Sequence, residues 1–383
     1  MRIVHVITRL LKAGAEENTL ATCIYQANEG DQVYLLFGDE FDVSLVDEAE
    51  SNGITCIEIP CMVHPINPAS DCRAILALRE YIAEIHPDIL HTHQSKAGIL
   101  ARLASVGKNT TVIHTVHIVP FENTSAFRKW MYIASEWLCA KFTDQFIDVS
   151  SGTRDTYLKY SIGKLNNHEV VYSGMAVEKF SKFRNTGDRR RKSNTFRVVM
   201  MAAFQARKRH EELIVSIESV LKKNPEIELQ FLGQGDTETQ IKVLVRDLGL
   251  EKQVKFLGYV NDPENYIKEA DLGVLVSERE GLPRVLVQFM ATGVPVVSTW
   301  LPGIEEIVQN NINGIVQNKN DIDAVTNQIE ELALNSESLN RLKIGALNTD
   351  VRGWNLSAMG PRIHGVYSKA IQRRTGIREF HSV

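Results

Sequence analysis

Residues 277–306 carry the densest set of groups able to do chemistry. Ser277, Glu278, Arg279, Glu280, Gly281, Leu282, Pro283 and Arg284 lead into an apolar run to Val297, with Pro302, Gly303 and Glu306 beyond it. A buried strand is expected at Leu272–Val276, ending in the short acidic loop Glu278–Glu280. Gly281 and Pro283 fix the turn, and a helix opens near Arg284. The amides at a helix N-terminus attract anions. A carboxylate beside them, on a tight Gly/Pro turn, suits a ligand with both phosphate and hydroxyl groups. A nucleotide sugar has that combination.

Other groups fit the same chemistry. Arg207-Lys208-Arg209-His210 follows a strand and precedes a helix, where cations suit a diphosphate. Gly233-Gln234-Gly235-Asp236 permits close backbone approach to a ligand, or makes a plain turn. The loop Lys12-Ala13-Gly14-Ala15-Glu16 reads either as a phosphate approach at Gly14 or as an ordinary strand–helix turn. It lacks the Gly-x-Gly-x-x-Gly fingerprint of nicotinamide and flavin enzymes. His91-Thr92-His93 and His114-Thr115-Val116-His117 end two successive strands, the edge where sites form in α/β sheets. A metal needs a third ligand, and none is suitably spaced.

Alternating elements must position these groups. In the first half, strands are expected at Ile3–Ile7, Val33–Phe37, Ile54–Ile59, Ile89–His91, Val112–Thr115 and Gln145–Val149, with helices at Glu16–Asn28, Cys72–Ile85, Lys96–Val106 and Phe127–Lys141. The second half restarts at Arg197–Ala202, with strands at Glu228–Leu232, Val254–Leu257, Leu272–Val276, Pro295–Ser298 and Gly314–Val316. Its helices are expected at His210–Lys223, Thr237–Leu248, Pro263–Glu269, Arg284–Thr292, Ile304–Val308 and Asp321–Leu334. This alternation predicts two doubly wound, Rossmann-like parallel-sheet domains facing a central cleft. The boundaries are residues 1–175 and 176–359, with a closing helix from Gly360 packing back on the first domain. The basic stretch Ser181–Thr195 reads as a linker between them.

Composition narrows the class. At 383 residues the chain is too long for one typical core. A net charge of -4 argues against a general nucleic-acid binder. Five cysteines without a Cys-x-x-Cys pair suggest reduced thiols in a cytoplasmic protein. No apolar run reaches the roughly 20 residues of a membrane span, so any membrane contact is peripheral, at the inner face. Phe127, Trp130, Met131, Tyr132 and Trp137 form an aromatic stripe that reads as core-facing, with a membrane-lying face as the alternative.

Together these residues resemble retaining glycosyltransferase family 4, of GT-B architecture. The resemblance runs from Pro87–His93 and Ala97–Arg102 through Val112–His117, Val254–Tyr259 and Ala270-Asp271 to Glu280–Pro283 and Met290–Val297, with Trp354 and the closing helix. It implies a nucleotide sugar on the C-terminal domain and an acceptor on the N-terminal one. Glu280 matches a glutamate that contacts the donor sugar, Lys208 a lysine that neutralises the diphosphate, and His117 a histidine at the reaction centre. Gly14, Arg207, Gly233, Tyr259, Gly281, Leu282, Pro283, Arg284 and Gln288 are the further donor-side candidates. Glu16, His93 and His117 are those of the acceptor side. Glu306 matches a late glutamate of the Gly-Gly-x-x-Glu segment.

The sequence also departs from the family pattern. Gln288 stands where the family has the second glutamate of its pair, and Ala203 where it has an arginine five residues before the lysine. Ala13 and Pro302 replace glycines, and Ser173-Gly174-Met175-Ala176 replaces an Asn-Gly-x-Asp turn. The reading is a retaining, metal-independent transfer of a hexosyl or N-acetylhexosaminyl group, with a UDP-sugar as donor. No Asp-x-Asp motif stands at a strand end and no cofactor is expected. The acceptor is a glycan or polyprenyl-linked glycan of surface polysaccharide, lipopolysaccharide or capsule biosynthesis. Closure of the two domains would align the reactants. The alternatives are a GT-B scaffold without catalysis that binds a partner glycosyltransferase or a glycan, and a sugar-nucleotide epimerase.

Overall fold

The computed structural model describes residues 1–122, 124–184 and 195–375. The basic run Arg189–Lys192, expected in a linker, lies outside them. Two compact units emerge: Met1–Met175 with the chain from Leu356 onward, and Ala176–Asn355.

The first unit is a seven-stranded sheet built from β1 (Arg2–Ile7), β2 (Gln32–Phe37), β3 (Thr55–Glu58), β4 (Ile89–His93), β5 (Thr111–Val116), β6 (Gln145–Asp148) and β7 (His168–Val170). Its order is β3-β2-β1-β4-β5-β6-β7, and all pairings are parallel. Every residue of β4 and β5 is buried, as a parallel sheet covered on both faces requires. The covering helices are α1 (Gly14–Asn28), α2 (Val43–Ser51), α3 (Pro68–Ile85), α4 (Ser95–Ala104), α5 (Ala126–Ala140) and α6 (Ser151–Lys159).

The second unit opens with α7 (Val177–Ser181). Its sheet has β8 (Phe196–Met201), β9 (Ile227–Leu232), β10 (Val254–Phe256), β11 (Leu272–Leu275), β12 (Val296–Thr299) and β13 (Gly314–Gln317). The order is β10-β9-β8-β11-β12-β13, again parallel. Helices α8 (His210–Lys223), α9 (Glu238–Asp247), α10 (Pro263–Ile267), α11 (Arg284–Thr292), α12 (Ile322–Leu334) and α13 (Ser336–Asn348) surround it. The final helix, α14 (Leu356–Thr375), belongs to the first unit. Its residues Met359, Ile363, Val366, Tyr367 and Ala370 form one helical stripe, packed on Ile3, Ile89, Ile113 and Ile147 of the sheet.

Several expectations needed correction. The helix expected at Ile304–Val308 is only a 3-10 turn at Ile304–Glu306, entered from Gly303 in the left-handed region. The closing helix starts at Leu356, not Gly360. Elements α2, α6, α7, α13 and β7 were not anticipated. The aromatic stripe is not core-facing as a whole. Phe127 is 80% exposed, Trp130 65% and Trp137 50%, while Ile133 and Cys139 of the same helix are buried. The helix turns its branched and small side chains inward and leaves the largest rings outside.

Candidate functional site

In each unit the strand order reverses beside the first strand, between β1 and β4 and between β8 and β11. Loops leaving the C-terminal ends of such strands diverge and leave a crevice. Both clusters of candidate residues lie at these two points.

In the second unit, β8 ends at Met201, and a 3-10 turn at Ala206–Lys208 delivers Arg207 and Lys208 before α8 begins. Next door, β11 ends at Leu275, and the loop to α11 carries Glu280. The Glu278 amide donates to the Arg207 carbonyl at 2.8 Å and ties the two loops together. Lys208 Nζ donates to Glu280 Oε1, and Arg207 stands 3.5 Å from Glu280 Oε2 and 3.3 Å from the Arg279 carbonyl. Burial pushes the Glu280 carboxyl up, but the neighbouring Lys208 and Arg207 charges outweigh it and hold the group below its ordinary range. The result is one carboxylate shared by two cations, beside the start of a nine-residue helix.

The other donor-side candidates divide around this centre. Gly281, Leu282 and Pro283 are buried in the loop, and Arg284 is the first residue of α11. Gln288, one turn further on, is partly buried. Gly233 and Gly235 follow β9 with φ of 144° and 157°, and a side chain at either would strike the backbone of Ala202 or Phe204. Close packing of two loops therefore accounts for both glycines. The Gly233 amide donates to the Gly258 carbonyl, and the adjacent Tyr259 is exposed. Ala203, where a cation was missing, is exposed on the same β8 loop. Glu306 is partly buried at the end of its 3-10 turn. His210, the first residue of α8, stacks on Phe204 with ring centroids 4.3 Å apart. Neither of its nitrogens has a hydrogen-bond partner among the described residues.

In the first unit, Gly14 is the exposed first residue of α1, and Glu16 is buried within its first turn, accepting from Gln94 Nε2 at 2.9 Å. Burial raises the Glu16 carboxyl above its ordinary value. Gln94 leaves β4 with φ of 59°, a left-handed value rare for a residue with a side chain. The histidines form a connected set. His93, 1% exposed, hydrogen-bonds His5 at 2.9 Å and the partly buried His117 at 3.0 Å. His91 bonds Thr115 and Tyr367, each at 2.6 Å. His93 has almost no surface to offer an acceptor, so of the two acceptor-side histidines only His117 is partly exposed. His114 is also buried, bonded to Thr92.

Sequence reasoning overlooked His5, Gln26 and Tyr367. The third imidazole that the spacing lacked is His5: His5, His91 and His93 offer nitrogens within 4.8 Å of one another, a group able to hold a metal ion. Their nitrogens are engaged instead with one another and with Gln26, Thr115 and Tyr367. A histidine inside the first strand gave no signal of a site, since a lone buried imidazole is ordinary core.

Residues 13–179 match the family model Glycosyltransferase Family 4, and residues 182–348 match Glycosyl transferases group 1. The chain is similar to the UDP-Gal:alpha-D-GlcNAc-diphosphoundecaprenol alpha-1,3-galactosyltransferase of Escherichia coli, with 26% identity over 87% of this chain and 90% of that enzyme. It is also similar to the capsular polysaccharide biosynthesis glycosyltransferase CapM of Staphylococcus aureus, with 24% identity over 70% of this chain and 73% of that one. Among solved structures, Anabaena Alr3699/HepE in complex with UDP and glucose aligns with a TM-score of 0.79 at 19% identity, over 96% of this chain and all (100%) of that one. Sucrose-phosphate synthase from Thermosynechococcus elongatus aligns with the same TM-score of 0.79 at 17% identity, over 97% and 100%.

Proposed function

Because the chain belongs to glycosyltransferase family 4 and has the GT-B fold, we propose that it moves a hexosyl or N-acetylhexosaminyl group from a UDP-sugar to a glycan or polyprenyl-linked glycan, with retention of configuration, in surface polysaccharide biosynthesis. The observation that carries this reading is the Lys208–Glu280–Arg207 cluster at the β8/β11 reversal. The named substrates and roles of the relatives supply the polysaccharide setting and the lipid-linked acceptor.

In this reading the diphosphate leaves against Lys208 and Arg207, helped by the amides at the start of α11. Those groups supply fixed positive charge where negative charge develops, without a metal ion. Glu280 accepts hydrogen bonds from the donor sugar's hydroxyls and so orients its anomeric carbon. Gln288 accepts one bond from the ribose through its amide oxygen, weaker than a carboxylate would. The acceptor hydroxyl attacks from the face the phosphate leaves, and the departing phosphate oxygen takes its proton. His117 positions that hydroxyl. Phe127, Trp130 and Trp137, flanked by Arg128, Lys129 and Lys141, give α5 an aromatic and basic face suited to peripheral contact with an anionic membrane. No helix among the described residues is long and apolar enough to cross one.

A mass-spectrometric screen of UDP- and GDP-sugars, with and without polyprenyl-diphosphate sugars, tests the reading. The expected result is UDP release from one UDP-sugar, accelerated by one acceptor, with the new anomeric centre matching the donor's. If no donor binds or turns over, the reading falls to that of a non-catalytic scaffold.

A further inference from the structure

A cavity that the proposed transfer does not use lies at the N-terminal edge of the first sheet. It is opposite the edge that carries His93 and His117. The chain entering β5 (residues 105–110), the chain entering β6 (residues 141–144) and Arg374 in the last turn of α14 line it. Its volume is about 200 Å³. Three cations, Lys108, Lys141 and Arg374, face one carboxylate, Asp144. That carboxylate is committed: Asp144 Oδ2 accepts from the Val112 amide and from Arg374 Nη1, both at 2.8 Å. Arg374 also donates to the Lys108 carbonyl at 3.2 Å, so its guanidinium braces the wall. Lys108 and Lys141 are different. Among the described residues neither ammonium group has a carboxylate or carbonyl partner, and Lys141 Nζ stands 4.0 Å from the centroid of the Trp137 ring.

Cations at helix C-termini often serve only to offset the helix dipole, and α4 and α5 both end here. The closing carbonyls of these helices already have other donors. The carbonyls of Arg102, Leu103 and Ala104 accept from Ser105 Oγ, the Val106 amide and Arg79. Those of Leu138, Cys139 and Ala140 accept from the amides of Lys141, Phe142 and Thr143. Capping therefore does not occupy the two ammonium groups. Thr110 lines the same cavity, is 3% exposed, and its Oγ1 has no hydrogen-bond partner among the described residues. A buried hydroxyl left unpaired is costly, and a ligand beside it relieves that cost.

Two uncommitted ammonium groups and an unpaired hydroxyl suit an oxyanion. The cavity is smaller than the roughly 300–1,000 Å³ of pockets that hold drug-sized ligands, so it fits a phosphate with a small substituent and not a nucleotide sugar. The surface beside it indicates the source. Phe127, Trp130, Ala134, Trp137, Leu138 and Lys141 recur at helical spacing on one stripe of α5, and all six are exposed. Lys141 ends the stripe and lines the cavity.

We propose that this cavity seats the headgroup phosphate of one anionic phospholipid, held by Lys108, Lys141 and the Thr110 hydroxyl, with Trp137 and Leu138 set into the surrounding interface. The inference rests on the reading of α5 as the membrane-facing helix, and adds to it a defined site with a preference for phosphate over negative charge in general.

The test is co-sedimentation of the full chain with phosphatidylcholine vesicles containing phosphatidylglycerol or, at matched zeta potential, oleate. The wild type should bind the phosphatidylglycerol vesicles about tenfold more tightly, the scale of one hydrogen bond to a charged group. Thr110→Val changes neither the net charge nor α5. It should remove most of that preference and leave binding to oleate vesicles unchanged. Lys108→Gln should weaken binding to phosphatidylglycerol vesicles more than to oleate vesicles. Lys129→Gln removes a charge of α5 outside the cavity and should weaken both equally. If Thr110→Val does not fold, the two lysine variants still decide. Equal wild-type binding to both vesicles, a preference that survives Thr110→Val, or lysine variants that behave alike overturns the proposal and leaves the α5 reading standing. No binding to either vesicle overturns both. Calorimetry with inorganic phosphate separates the sources: heat that Thr110→Val abolishes, with no preference between the vesicles, assigns the cavity to a soluble phosphate and overturns the lipid.

Discussion

Glu280 holds both of the cations proposed to receive the diphosphate, so phosphate and carboxylate compete for Arg207 and Lys208. Glu280→Gln preserves shape and removes that competition. At an effective dielectric of 20, the 3.5 Å Arg207–Glu280 pair has a gross attraction of about 5 kcal/mol. Arg207 is 31% exposed, and solvent and side-chain entropy reduce such a pair to about 1 kcal/mol net. The more sheltered Lys208 pair, with both side chains near 12% exposure, contributes at least as much. A diphosphate that must give up part of this in the wild type gains roughly 1–1.5 kcal/mol in the variant, about a tenfold tighter Kd. UDP isolates the phosphate contribution because it has no sugar to lose contact with Glu280. Transfer should move the other way. Loss of a charge-assisted bond to a sugar hydroxyl is worth about 1.5–3 kcal/mol, so kcat/KM falls roughly 10- to 100-fold. Calorimetric titration with UDP at low and moderate salt, alongside steady-state transfer, reads both. UDP binding that weakens in Glu280→Gln would refute the competition. Unchanged transfer would remove Glu280 from the donor sugar.

Three further outcomes are expected. Arg102 and Glu136 form a fully buried pair at 2.7 Å, so Arg102→Met should cost about 3–5 kcal/mol by stranding the carboxylate, and adding Glu136→Leu should restore most of it; hydrogen exchange of peptides from α4 and α5 measures this, and a double variant as unstable as the single one contradicts it. Burial and then the Lys208 charge lower the His210 pKa to about 4, so the unfolded chain binds this proton first as pH drops. The stability tied to neutral His210 is therefore complete above pH 6.5 and lost as pH falls toward 4, up to about 3 kcal/mol. His210→Phe should raise Tm and flatten the acid limb of a Tm-versus-pH profile, and an unchanged profile would count against the burial argument. Trp130→Ser with Phe127→Ser should cut co-sedimentation with vesicles containing anionic lipid severalfold while leaving them equally soluble, and equal sedimentation of both proteins would dismiss the α5 face as a membrane contact.

The sheets were legible because parallel strands read as near-continuous apolar runs between turn signals. Helices α8 and α11 were read to the residue because a basic turn or a Pro-Arg step opens each, and Lys223-Asn224 or Gly293 closes it. Other segments hid their signals. Helix α13 has Asn335 as its cap, donated to by the Ser338 amide, and buries Leu339, Leu342 and Ala346 at helical spacing, but its polar opening resembles a loop. Helix α6 is almost wholly polar and is marked only by the reciprocal Ser150–Thr153 cap. In the sites, Lys208 and Glu280 announced themselves because charge beside glycine and proline stands out locally. Gln26 and Tyr367 did not, because their meaning lies in contacts 341 residues apart. No window of sequence holds both ends of that bond.

The placement of α14 has a consequence for biosynthesis. The sheet of the first unit is encoded within the first 175 residues, but the apolar stripe that covers Ile3, Ile89, Ile113 and Ile147 is encoded after residue 355. A nascent chain emerges N-terminus first, so the half that appears earliest must wait with one face uncovered while the second unit is translated. The second unit, contiguous in sequence, has its whole core available before translation ends. The molecule is thus finished in the reverse of the order in which it is made. A premature stop at Leu356 would leave the second unit complete and the first exposing a sticky surface to chaperones and proteases.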